Sequence, residues 1–127
     1  MTDRVQVERL LQTLYAARVG GDLDTLCRTF ADDAKFRIAG ASDGKPISIA
    51  AVGTVQIRTW LNMMIKTFRM ADQSIVSIVI EGTKAAVHWR CTIHSKITGT
   101  VVPTELVDLV EVREGRIGSY TEFFVPR

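Results

Sequence analysis

Asp108 stands in the middle of an apolar, β-rich run, Leu106-Val107-Asp108-Leu109-Val110-Glu111-Val112. A carboxylate in such a place faces solvent or a cavity, because burying its charge without a partner drives a proton onto it. Strand alternation puts Leu106, Val110 and Val112 on the Asp108 side and Val107, Leu109 and Glu111 on the other. Both sides are mostly apolar, as in a sheet covered on both faces. A cavity-facing carboxyl with a shifted proton affinity suits a general acid, or a hydrogen-bond donor to a reacting oxygen. Glu122 and Tyr120 share a parity on the next strand-like run, Ile117 to Val125. A three-residue hairpin loop would bring them to the Asp108 face, and a two-residue loop would put them on the opposite one. On the same face, two carboxyls would push at least one pKa upward and make an acid and a base available together.

Other chemistry finds less support. His88 and His94 share a strand face but lie six residues and roughly 20 Å apart, so they cannot chelate one ion. Neither a phosphate-binding glycine loop, nor a Ser-His-Asp set, nor a nucleotide fingerprint is present, and no metal or cofactor is expected. Cys27 and Cys91 sit among apolar neighbours and read as buried thiols acting as small hydrophobes. The net charge of +2 comes from scattered basic residues, which argues against nucleic acid as a partner. No apolar run reaches the roughly 18 residues of a membrane span, and the first residues lack a signal-peptide core, so a cytoplasmic location is expected.

The elements that must position these residues follow from periodicity. Val7, Leu10, Leu11, Leu14 and Tyr15 form the stripe of an amphipathic helix, with Asp3 and Gln6 at its start and Gly20-Gly21 at its end. Asp22 caps a shorter helix with Leu23, Leu26, Cys27 and Phe30 on its buried side. Phe36 and Ile38 begin a strand, and Gly40 to Gly53 reads as a long loop with room for one edge strand. Thr54 caps a third helix whose apolar face is Ile57, Trp60, Leu61, Met64 and Phe68. Four strands follow, Ser74 to Glu81, Ala85 to Ile97, Val101 to Val112 and Ile117 to Val125, joined by short turns. Helices first and an antiparallel meander afterwards predict a single α+β domain over residues 1–127.

Four local motifs occur in this order: Gly21-Asp22-Leu23-Asp24, Phe30-Ala31-Asp32-Asp33-Ala34, Ala86-Val87-His88-Trp89-Arg90, and Val107-Asp108 through Glu114-Gly115-Arg116-Ile117. With the element order, they resemble the NTF2-like superfamily, in particular its ketosteroid-isomerase-like and SnoaL-like branches. The resemblance implies three helices packed on a strongly curved, mostly antiparallel sheet, a cone with an internal pocket. It also implies a homodimer formed through the outer sheet face. Ketosteroid isomerases carry a carboxylate base where this chain has Ile38 and a tyrosine where it has Leu14, with Tyr15 next to it. Their protonated Asp maps onto Asp108. The limonene-epoxide-hydrolase branch carries an Arg-Asp pair where this chain has Trp89 and Cys91, and a last Asp near Glu122. Classical steroid-isomerase chemistry is therefore not expected.

The reading that results is a pocket for a small hydrophobic molecule, with cofactor-independent acid-base chemistry of an isomerase, cyclase or hydratase type. Asp108, Glu122 and Tyr15 are the candidate catalytic residues. Phe36, Ile38, Trp60, Met64, Trp89 and Tyr120 are the candidate ligand contacts. A non-catalytic ligand-binding or protein-interaction module is the alternative.

Overall fold

The computed structural model describes residues 3–42 and 44–127. Helix α1 (Asp3–Gly20) is followed by α2 (Leu23–Arg28), strand β1 (Phe30–Ser42), strand β2 (Lys45–Val52) and α3 (Gly53–Thr67). Then come β3 (Phe68–Glu81), β4 (Lys84–Ser95), β5 (Val101–Arg113) and β6 (Arg116–Pro126). The six strands form one sheet in the order β2-β1-β6-β5-β4-β3. All neighbours are antiparallel except β1 and β6, which run parallel. The expected α+β architecture is therefore present: helices on the inner face of a curved sheet with a meander from β3 to β6.

The core lies where the helix stripes meet the inner sheet face. α1 buries Val7, Leu11, Leu14, Tyr15 and Ala17, α2 buries Leu26, and α3 buries Ile57 and Leu61. Against them pack alternate residues of the central strands, among them Val87, Trp89 and Cys91 of β4, Leu106 and Val110 of β5, and Ile117 and Tyr120 of β6. The Asp22 side chain caps α2 by accepting from Thr25 N at 3.2 Å, satisfying one of the first-turn donors the helix leaves unpaired.

Thr54 does not cap α3, which starts at Gly53 with Val52 as its N-cap and no side-chain cap, and Phe30 opens β1 rather than closing α2. Two further expectations change. The segment from Gly40 to Gly53 is not a long loop: β1 continues to Ser42, and β2 pairs with it from Ser42↔Lys45 to Lys35↔Val52. Its glycine, serine and proline content suggested a loop, but Ile47, Ile49 and Ala51 alternate inward along an edge strand. Pro46 is tolerated near the start of that strand, where no partner beyond the edge needs its missing N–H. Second, Phe68 leaves the helix. It sits just past Thr67 with an extended backbone and opens β3, which starts six residues earlier than its apolar pattern suggested. Irregular pairing between Ala71 and Ser74, with Asp72 at φ 54°, had broken the alternation there.

Candidate active site

The register of the last hairpin decides what Asp108 meets. Glu114 and Gly115 both have positive φ, 53° and 78°, and make a two-residue turn between the paired residues Arg113 and Arg116. Such a turn alone would face Glu122 away from Asp108. The pairing slips by one residue between Val112↔Ile117 and Glu111↔Ser119, leaving Gly118 as a bulge. Beyond the bulge Asp108 lies directly opposite Glu122, and Val110 opposite Tyr120. The bulge supplies the parity change that a third loop residue would have supplied.

Asp108 is fully buried, and its Oδ2 is the focus of three donors. Tyr15 Oη of α1 donates at 2.5 Å, Trp89 Nε1 of β4 at 2.8 Å, and Tyr120 Oη of β6 lies at 2.7 Å. Among the described residues no group pairs with Asp108 Oδ1. Glu122, 2% exposed, takes a two-pronged ion pair from Arg18: Nη2 donates to Oε1 at 2.9 Å and Nη1 contacts Oε2. Tyr120 Oη is also 2.9 Å from Glu122 Oε2, so its one proton lies between the two carboxyls. Arg18 Nη1 in turn donates to Tyr120 Oη at 3.2 Å, and the guanidinium sits 5.4 Å from the centre of the Trp89 ring.

The two carboxyls are pushed apart in proton affinity. Burial, and then the charge of Glu122, raise the pKa of Asp108 well above the usual carboxylate range. Burial would raise Glu122 as well, but the Arg18 charge and its hydrogen bonds outweigh this and hold Glu122 below its ordinary value. The two shifts favour the shared proton on Asp108 over Glu122. Burial, and then the neighbouring Asp108 and Glu122 carboxyls, raise both Tyr15 and Tyr120, so each stays a hydroxyl donor. Burial also pushes the Cys91 thiol up to about 11.

A cavity of about 390 Å³ opens beside this network. Ile38 of β1, Ile47 and Ile49 of β2, Met64 of α3 and Phe124 of β6 are among its apolar walls. Arg18 and Glu122 are the only charged side chains that line it among the described residues. Of the residues expected to meet a ligand, Ile38 and Met64 are on the wall. Phe36, Trp89 and Tyr120 are buried behind it, with Phe36 stacked on Tyr120 at 5.6 Å between ring centres. Trp60 packs against the core away from the cavity. Tyr15 and Asp108 form the layer behind Glu122 rather than the wall itself. Arg18 escaped the sequence reading. Its signal was its position, three residues after Tyr15 and seven after Leu11, which places a basic side chain on the buried stripe of α1.

Ile38, standing where the resemblance implies a base, pairs directly with Glu122 on the neighbouring strand. A carboxylate thus lies one strand across from the vacant position. On the outer sheet face His88 and Arg90 both contact Glu105 and hold its carboxyl below the usual range. Among the described residues no group of three or more His, Cys, Asp or Glu side chains is placed to hold a metal ion.

The sequence profile of the SnoaL-like domain matches residues 11–120. The chain belongs to the SnoaL-like domain family. No curated protein sequence matches it. Among solved structures, a candidate isomerase from Bacillus subtilis superposes with a TM-score of 0.83 at 18% identity, covering 98% of this chain and 89% of that one. A limonene-epoxide-hydrolase-like epoxide hydrolase from M. tuberculosis gives 0.74 at 18% identity, covering 94% and 83%. A protein with a ketosteroid isomerase-like fold from Catenulispora acidiphila, in complex with trimethylamine, gives 0.72 at 18%, covering 89% and 82%. At these identities the likeness is one of fold alone, the NTF2-like or ketosteroid-isomerase-like fold. The fold hosts many chemistries, so activity must be argued from the site.

Proposed function

We propose that this SnoaL-like protein binds a small, uncharged, largely hydrophobic molecule in the cavity and performs cofactor-independent acid-base chemistry on it. The observation that carries this reading is the placement of Glu122, ion-paired with Arg18 on the cavity wall, directly opposite the buried Asp108 behind it. Glu122 is the proton acceptor, from a carbon next to a carbonyl or from an attacking water. Glu122 then returns that proton to another carbon or to an oxygen of the same ligand, and Tyr120, whose hydroxyl lies within hydrogen-bonding distance of both carboxyls, holds it in place from behind the wall. Arg18 and Tyr15 hold the two carboxyls in these different states. With Arg18 and Glu122 cancelling, the polar end of the cavity is neutral, so a ligand carrying a carboxylate or ammonium would bury an uncompensated charge. A carbonyl, hydroxyl or epoxide oxygen on an apolar frame fits better. Isomerisation, cyclisation and hydration all belong to this class.

One observation favours binding without turnover. Arg18 engages both oxygens of Glu122, which lowers its basicity as well as its pKa. Two assays separate the readings. Isomerisation of 3-cyclohexen-1-one to its conjugated isomer and hydrolysis of cyclohexene oxide report turnover, while displacement of the neutral fluorophore N-phenyl-1-naphthylamine reports binding. An enzyme loses turnover with Glu122→Gln and keeps fluorophore affinity within a few-fold. Binding of either compound with no turnover of both would leave the binding module as the function.

The outer sheet face supports a homodimer. Val79, Leu109, Phe123 and Val125 are between 41% and 63% exposed on β3, β5 and β6, and the pairs Val79↔Ala86, Ala86↔Leu109 and Val107↔Phe123 make the patch continuous. A patch of this kind is a usual mark of an interface, and Arg37, Arg90, Glu105 and Glu111 around it offer both signs of charge to a second copy. No helix among the described residues is long and apolar enough to cross a membrane. The free thiols Cys27 and Cys91 suit a reducing, cytoplasmic setting.

A further inference from the structure

Gly40 has no conformational reason to be glycine. Its backbone is not in the left-handed region, and a glycine inside a strand is less stable there than alanine. Space explains it. Gly40 on β1 pairs with Phe124 on β6, and both have the inward parity of Ile38 and Glu122. A Cβ at position 40 would lie 2.4 Å from the Phe124 carbonyl oxygen and 2.6 Å from both Cδ1 and Cε1 of its ring. Contacts this close do not occur between real atoms, so the Phe124 ring lies flat across the backbone of β1 where a side chain would stand. Aromatic coverage of a strand glycine is a known device for holding such a position.

Phe124 also lines the cavity, beside Ile38, Ile47 and Ile49. Any side chain at position 40 would meet the Phe124 carbonyl as well as its ring, and the open side of the ring is the cavity that it lines. We infer that Gly40 and Phe124 together set the bore of the cavity at its β1–β2 end, and so select ligands by size. Gly40 acts here by positioning Phe124, whereas Phe124 itself meets the ligand. The inference rests on the ligand-binding reading above, and deepens it by naming what limits ligand breadth.

The test uses a graded series of neutral ketones, cyclohexanone, 2-decalone and 5α-androstan-17-one, each competing with N-phenyl-1-naphthylamine for the purified protein. Gly40→Ala should weaken binding of the two larger ketones by roughly tenfold or more, because the displaced ring takes up space that they need. Cyclohexanone affinity should change little. Phe124→Ala, which removes the ring and leaves Gly40 in place, should improve binding of the larger ketones. Phe124→Leu, which leaves Gly40 untouched, gives the same direction as Phe124→Ala if Gly40→Ala fails to fold. Equal affinities across wild type and the folded variants would overturn the size-selecting pair while leaving the ligand-binding reading intact. Failure of wild type to bind the fluorophore and all three ketones would overturn both.

Discussion

Replacing Asp108 by asparagine should make the protein progressively more stable than wild type as the pH rises. The reason is linkage. Burial and the neighbouring Glu122 charge raise the folded-state pKa of Asp108, while in the unfolded chain it titrates near its ordinary 3.8. Between those two values the folded protein keeps a proton that the unfolded chain has released, so the free energy of unfolding falls with increasing pH. The stability that the raised pKa gives is fully present below the unfolded value and is lost as pH rises through the folded one. The slope is about 1.4 kcal/mol for each pH unit in that window. Asparagine keeps a carbonyl oxygen to accept from Tyr15, Trp89 and Tyr120 and cannot ionise. Its NH₂ group falls where Asp108 Oδ1 has no protein partner, and an unsatisfied group of that kind costs about 1–3 kcal/mol at every pH. The diagnostic is thus the slope of the difference rather than its absolute size. Urea titrations of both proteins from pH 4 upward, with matched m-values, measure it. Infrared difference spectra should also show a carboxylic-acid carbonyl stretch that the variant lacks. A stability difference that stays flat with pH would mean that Asp108 is ionised in the folded state, and the division of the two carboxyls into acid and base would fail.

Further outcomes follow from the same network. Arg18→Met leaves the buried Glu122 without its counter-charge and should cost about 3–5 kcal/mol in urea unfolding; adding Glu122→Gln should recover a large part of it, and additive losses would speak against the pair. Trp89→Phe removes one donor from Asp108 Oδ2 and should cost about 1–2 kcal/mol, measured by thermal or urea unfolding, with the Tyr15 ring contact largely kept. Phe123→Asp should convert a dimer to a folded monomer in sedimentation equilibrium with unchanged circular dichroism, whereas a monomeric wild type would refute the outer-face interface.

The helices and the meander were legible because each rests on a local pattern. The stripe from Val7 to Tyr15, and the alternation through β4 and β5, encode which side chains turn inward without reference to anything distant. The β1–β2 hairpin was not legible in full, because an edge strand tolerates the glycine, serine and proline that otherwise signal a loop. The facing of Glu122 could not be read for a sharper reason. A two-residue turn and a three-residue loop predict opposite faces, and a bulge at Gly118 reverses the outcome of the first. Only the pairing of the strands records such a bulge, and no periodicity within β6 announces it.

Arg18 shows how a site can depend on a residue that its own element disguises. A basic side chain in the last turn of a helix is ordinary, since it complements the dipole and usually reaches solvent. Here the turn ends over the inner sheet face, and the guanidinium is almost fully buried. Its effect on the chemistry is larger than its contact with Glu122 suggests. Without Arg18, two buried carboxyls opposite one another would compete for one proton on nearly equal terms, and neither would be reliably acid or base. With it, the charge settles on Glu122 at the cavity wall, and the proton stays on Asp108 behind. The polarity of the proposed acid-base pair is therefore imposed from α1. A chain of this fold with both carboxyls in place, but an apolar residue at position 18, should hold its proton at the wrong end.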